Sequence, residues 1–148
     1  MAGVLASLQT GEIASGTSAK TILQLIAAAN HRAKVKEVSV SFKGTSGSAS
    51  PVLVEVVRQT DAGTMSSLTA KKFNEGDDET LQTTGQHTAT VEPSGSDVVL
   101  SEEVHPQGGW TWQASFGGEI AVKGGSRLGL RVTAAEDQTV VGRMVFEE

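Results

Sequence analysis

The chain has 148 residues, no cysteine, no tyrosine, two Trp, four Phe and a formal net charge of -5. That length fits one domain of common size, which buries roughly 68–70% of its unfolded surface and needs no staples. Disulfides and cysteine-ligated metals are excluded, and the acidic balance argues against a domain whose main task is neutralising nucleic-acid phosphate, which needs clustered Lys and Arg.

Residues Met1 to Leu8 are small and apolar, but no Lys or Arg precedes them and the run stops too early for a signal peptide. They read as a first strand, a loose tail, or an arm over residues 1–18 that reaches a partner. The apolar stretch within Ile22 to Ala29 is broken by Gln24 and falls far short of the ~20 residues a membrane-spanning helix needs. The sequence reads as a soluble protein, with neither membrane nor nucleic acid as partner.

From Lys34 onward a two-residue period dominates. Val38, Val40 and Phe42 point one way, Glu37, Ser39 and Ser41 the other, and Val52, Val54 and Val56 repeat the pattern. Alternating side-chain direction is the mark of a half-buried strand. Gly and Pro fall between the apolar runs, where turns are needed. The predicted strands are Thr21–Ala27, Val35–Phe42, Pro51–Gln59, Thr88–Glu92, Val98–Val104, Trp110–Ser115, Glu119–Val122, Arg127–Ala134 and Thr139–Glu147, with a short one near Gly11–Ser15. One helical turn is expected near Ser66–Lys72, capped by Ser66 or Ser67. The polar stretch from Lys71 to Thr90 is expected as a long surface excursion. Residues 1–148 are thus expected to form a single all-β domain of about nine short strands, a β-sandwich or a barrel.

The chemistry-bearing side chains are sparse. His31, His87 and His105 lie far apart, with no H-x-H or H-E-x-x-H spacing. Glu75, Asp77, Asp78 and Glu79 supply hard oxygens, but Gly76 precedes the aspartates, so the calcium-loop spacing is missing and a solvated acidic loop is the simpler account. No serine sits in G-x-S-x-G, and His105 lies in the turn His105-Pro106-Gln107-Gly108-Gly109. Gly44-Thr45-Ser46-Gly47-Ser48 lacks the Lys-Ser/Thr pair of a phosphate loop and reads as a hairpin loop. Catalytic, metal and cofactor residues are therefore expected to be none, and the protein no enzyme.

Trp110 and Trp112 share one strand face, as core or interface packing or as a ligand-stacking pair. Phe42, Phe116 and Phe146 are core candidates. In Arg127–Val132, Leu128, Leu130 and Val132 face inward, while Arg127 and Arg131 face outward, solvated or paired with acidic groups across an interface. Arg58 poses the same choice.

Four segments carry a family resemblance: Asn30 to Gly44, Val54 to Thr64, the turn His105 to Trp110, and Arg127 to Ala134. In their order, over roughly residues 20 to 148, they resemble the trimeric jelly-roll decoration, or cement, proteins on the capsids of tailed bacteriophages. The resemblance implies an eight-stranded antiparallel jelly roll, a homotrimer, and binding to the major capsid protein at subunit junctions on the outer surface of the virion. The function expected on that basis is stabilisation of the expanded head. A glycan- or receptor-binding sandwich using Trp110 and Trp112 is the alternative.

Overall fold

The structure, a computed structural model, describes residues 3–44 and 50–148. The expected hairpin loop at Gly44 to Ser48 falls mostly outside the described residues. Among the described residues, thirteen strands occur in chain order: β1 (Leu5–Gln9), β2 (Ile13–Ala14), β3 (Lys20–Ile26), β4 (Ala33–Phe42), β5 (Val52–Gln59), β6 (Thr64–Leu68), β7 (Lys71–Lys72), β8 (Thr84–Val91), β9 (Asp97–Val104), β10 (Gly109–Gln113), β11 (Ile120–Val122), β12 (Arg127–Thr133) and β13 (Thr139–Glu147). They build two antiparallel sheets. Sheet A runs β10-β4-β13-β1-β7, with β11 on β4 and β2 on β13, and sheet B runs β6-β8-β3-β12-β5-β9.

The pairing is nested in chain order. β1 pairs β13 in sheet A, β3 pairs β12 in sheet B, β4 pairs β10 in sheet A, and β5 pairs β9 in sheet B. The chain therefore behaves as one long hairpin rolled up so that successive rungs fall in alternate sheets, which is the jelly-roll wiring. β6, β7 and β8 form an insertion between β5 and β9 that extends both sheets.

Alternation places the core between the sheets. Val38, Val40, Val52, Val54, Val56, Leu128, Leu130 and Val132 are buried, together with Leu8, Met144 and Phe146. Val35 and Val38 both face inward although three apart. The register between β13 and β4 shifts between Val145 and Phe146, where a bulge on β4 absorbs the odd residue.

Several expectations need correction. Over Ser66–Lys72 there is no helical turn: Ser66 to Leu68 pair with β8, and Lys71 and Lys72 pair with β1. β6 lies at the sheet edge with little burial, so it carries no apolar alternation and looks like a capped turn. The excursion beginning at Lys71 is shorter than expected, because β8 starts at Thr84. Of the three readings given for the amino-terminal segment, residues 5–9 take the first, an inner strand, with Ala6 and Leu8 fully buried. Between β5 and β8, the strands added beyond those expected are β6 and β7, which lie at sheet edges and are too short and too little buried to show an apolar period.

One backbone feature shapes the region discussed next. Thr88, in the middle of β8, has φ 58°, a left-handed conformation rare for a β-branched residue. β8 pairs with β3 through His87 and then leaves it. The amide of Thr21, farther along β3, is taken instead by both oxygens of the Glu92 carboxylate, at 2.9 and 2.8 Å.

Candidate functional site

Two surface features stand out, a basic cleft at one end of sheet B and an apolar-studded end of sheet A. The cleft has a volume of about 720 Å³ and lies where β5 ends and β9 and β12 begin. Its cations are Arg58, Lys123 and Arg127, and its acid is Asp97, so this lining carries a net charge of +2 on a chain of net charge -5.

Beneath it runs a directional hydrogen-bond chain that is buried in its middle. The Thr21 hydroxyl donates to Glu92 Oε1 at 2.8 Å and accepts from Gln59 Nε2 at 2.9 Å. Gln24 Nε2 donates to Gln59 Oε1 at 2.7 Å, and Arg127 Nη1 donates to Gln24 Oε1 at 3.0 Å. Every link runs the same way, from the Arg127 guanidinium to the Glu92 carboxylate, an arrangement in which each bond polarises the next. Gln24, Gln59 and Thr21 are all buried, and buried amides are tolerated because they are paired.

The cleft walls are equally fixed. Thr60 N donates to Ser94 O at 2.9 Å, and Ser94 N donates to Asp61 Oδ1 at 3.1 Å. Hydrogen bonds from the Ser94 side chain and amide, then from the Gly63 amide, hold the Asp61 carboxyl below the usual carboxylate range. Gly95 lies so close to β5 that a Cβ there would sit 2.4 Å from Arg58 O. Arg58 itself spans to the other wall, Nη1 donating to Ala121 O at 3.0 Å. Its ion pair with Asp97, at 3.8 Å, is long, and Asp97 is 75% exposed, so the pair is weak.

At the end of sheet A, Phe116 projects from the turn Ser115–Gly118, closed by a 2.8 Å bond from Gly118 N to Ser115 O with Gly117 at φ 79°. Its 107% exposure corrects the expectation of a core residue, whereas Phe146 is buried and Phe42 packs against the core. The turn grips β4 through Ala114 N to Lys36 O. Across the same row of strands, Leu5 is 38% exposed and Phe73 58% exposed, with Phe73 N bonded to Leu5 O. The row spans four strand spacings, about 19 Å. Between its apolar points lie the pairs Lys36–Glu119 and Lys36–Glu147, at 3.6 and 3.3 Å. Glu37 beside them is held below the usual carboxylate range by its bond from Gln113, at 3.1 Å, and by Arg143, despite partial burial.

The remaining sequence candidates fall elsewhere. Trp110 and Trp112 are partly buried and pack against the core. Arg131 is neither solvated nor across an interface; it pairs with Glu55 at 3.0 Å on its own sheet. In the acidic loop, Asn74 Nδ2 donates to Asp77 Oδ1 and Lys72 Nζ to Asp77 O, so the loop is tied to itself and to β7. His105 accepts the Gln107 amide within its turn. Among the described residues, no group of three or more His, Cys, Asp or Glu is placed to hold a metal ion. The residues that sequence reasoning passed over are Gln24 and Gln59, and the one signal was Gln24 interrupting Ile22–Ile26.

In comparisons with known proteins, no family model, no curated protein and no solved structure matches the chain.

Proposed function

We propose that the protein is a structural virion component, a decoration or cement protein that binds the outer capsid surface as a homotrimer and bridges major capsid subunits to stabilise the expanded head. The observation that carries this reading is Phe116, a fully exposed aromatic on a short hydrogen-bonded turn. Rigid exposed aromatics are the side chains most enriched at the centres of protein interfaces, because they bury much area at little entropic cost. Phe73 and Leu5 add apolar contacts, and the intervening ion pairs supply a polar rim. The jelly-roll wiring agrees with what the sequence resemblance implies. Three modest contacts around a threefold axis act together, so avidity replaces any single strong interface.

The test is binding of purified protein to expanded heads and to free capsid subunits. Trimers that bind heads, and a Phe116→Ala variant that folds normally but binds more weakly, support the reading. A monomer that ignores expanded heads overturns it. A glycan- or receptor-binding module would have to use a surface other than Trp110 and Trp112, whose rings are committed to the core edge.

A further inference from the structure

We propose that the basic cleft at the end of sheet B is a binding site for a carboxylate-bearing saccharide, of which an oligouronate is the simplest representative. The site is independent of the Phe116 face.

The argument begins with charge. On an acidic chain, three cations line one concavity against one lining carboxylate, Asp97, while the Asp61 carboxylate behind Ser94 lies near enough to Arg127 to feel its charge. A concave, low-dielectric wall focuses such a field and favours an anion. Arg127 and Arg58 are held in place, each by one N–H spent on a neighbour, Gln24 Oε1 and Ala121 O respectively. A guanidinium has five N–H donors, so each keeps donors for a carboxylate, in the forked geometry that matches its two oxygens. Lys123, on the turn before β12, adds a charge at the opposite wall.

The rest of the lining selects among anions. Thr60, Ser94, Ser96 and Ser126 contribute short hydroxyls, and apart from Ala121 the lining has no hydrophobic side chain. A peptide anchored by a large apolar residue finds no hole here, whereas a polyhydroxylated anion finds donors and acceptors along its length. The volume lies within the range of pre-formed small-molecule sites, about 300–1,000 Å³. The backing is rigid: the buried amide chain fixes Arg127, and Gly95 presses the Ser94–Ser96 wall onto β5. Preorganisation of this kind lowers the entropic cost of binding.

The experiment is a titration of the full chain with trigalacturonate, followed through the amide resonances of Ser94–Asp97 and Lys123–Arg127. Maltotriose, triglutamate and inorganic phosphate serve as comparison probes. Saturable trigalacturonate shifts confined to those amides are expected, weakening as salt is raised past about 0.1 M, where the screening length falls to about 10 Å. Neutral maltotriose should bind at least about tenfold more weakly, consistent with charge-assisted hydrogen bonds. Lys123→Gln should weaken binding about tenfold on the same basis without changing the melting temperature. Arg58→Gln with Arg127→Gln should abolish it, with Lys123→Gln guarding against misfolding of that double variant. The proposal is overturned if trigalacturonate does not bind, or if maltotriose, triglutamate or phosphate binds as well. It is also overturned if Lys123→Gln leaves the affinity unchanged.

Discussion

Gly129 and Gln59 share one space on the outer face of sheet B: a Cβ on Gly129 would stand 2.3 Å from Gln59 Oε1. The missing side chain on β12 is what lets the Gln59 amide lie flat, buried, and bonded to both Gln24 and Thr21. Gly129→Ala should therefore destabilise the fold by about 1–3 kcal/mol, the usual cost of overpacking. It should also disturb the resonances of Gln24 and Arg127. Chemical denaturation with side-chain amide NMR checks this, and an unchanged midpoint would contradict the packing described.

Leu8 tests whether the amino-terminal segment belongs to the core. It is fully buried in an inner strand, opposite Gly85, where an added Cβ would approach Leu8 Cδ2 to 2.6 Å. Leu8→Ala should cost about 2–5 kcal/mol, the range for a truncated buried leucine. A loss of no more than about 0.5 kcal/mol, the usual size of an exposed-site change, would mean the segment is an appendage.

Thr88 holds a left-handed backbone at the point where β8 leaves β3. A β-branched residue is strained there, whereas Asn tolerates that region. Thr88→Asn should raise stability by about 1 kcal/mol, as read from the denaturation midpoint, if the strain outweighs the Thr88 hydroxyl contact with His87 Nδ1. A destabilised Thr88→Asn would show that the contact dominates.

The pH dependence follows from carboxyls held below their ordinary range. Gln113 and Arg143 lower Glu37, Ser94 and Gly63 lower Asp61, and its own amide followed by Lys36 lowers Glu119. Each binds its proton more weakly folded than unfolded. Their contribution is complete above the unfolded carboxyl pKa, about 4, and disappears as pH falls through the lower folded values. Melting temperature should be flat between about pH 5 and 7 and decline below about 4, in the range of the carboxyl titration. Glu37→Gln should shallow that decline, and an identical slope would remove Glu37 from the account.

What the sequence made legible was what repeats locally. Val38–Val40 and Leu128–Leu130–Val132 announce their buried faces because their apolar residues alternate with Ser39, Gly129 and Arg131, which lie on the other face of the strand. Period two fails where that geometry fails. Every residue from Thr21 to Leu25 is buried, since the segments around Asp61 and Glu92 close over the outer face of β3. That covering is a tertiary event between residues about 70 positions apart, with no local trace. Phe116 was misplaced for a related reason: in an aromatic-poor chain a phenylalanine looks destined for the core, and only the turn that lifts it out decides otherwise. Of the cleft's three cations, Lys123 and Arg127 flank one turn, and they meet Arg58 only through the pairing of β12 with β5.

The central proposal, that this jelly roll works by seating on a capsid, is tested most directly by reconstructing expanded tailed-phage heads incubated with the purified chain. The account predicts trimeric density at the threefold positions, with the Phe116 turn buried against the shell and occupancy reduced in Phe116→Ala. Bare shells at saturating protein, or bound density with Phe116 facing solvent, would contradict it.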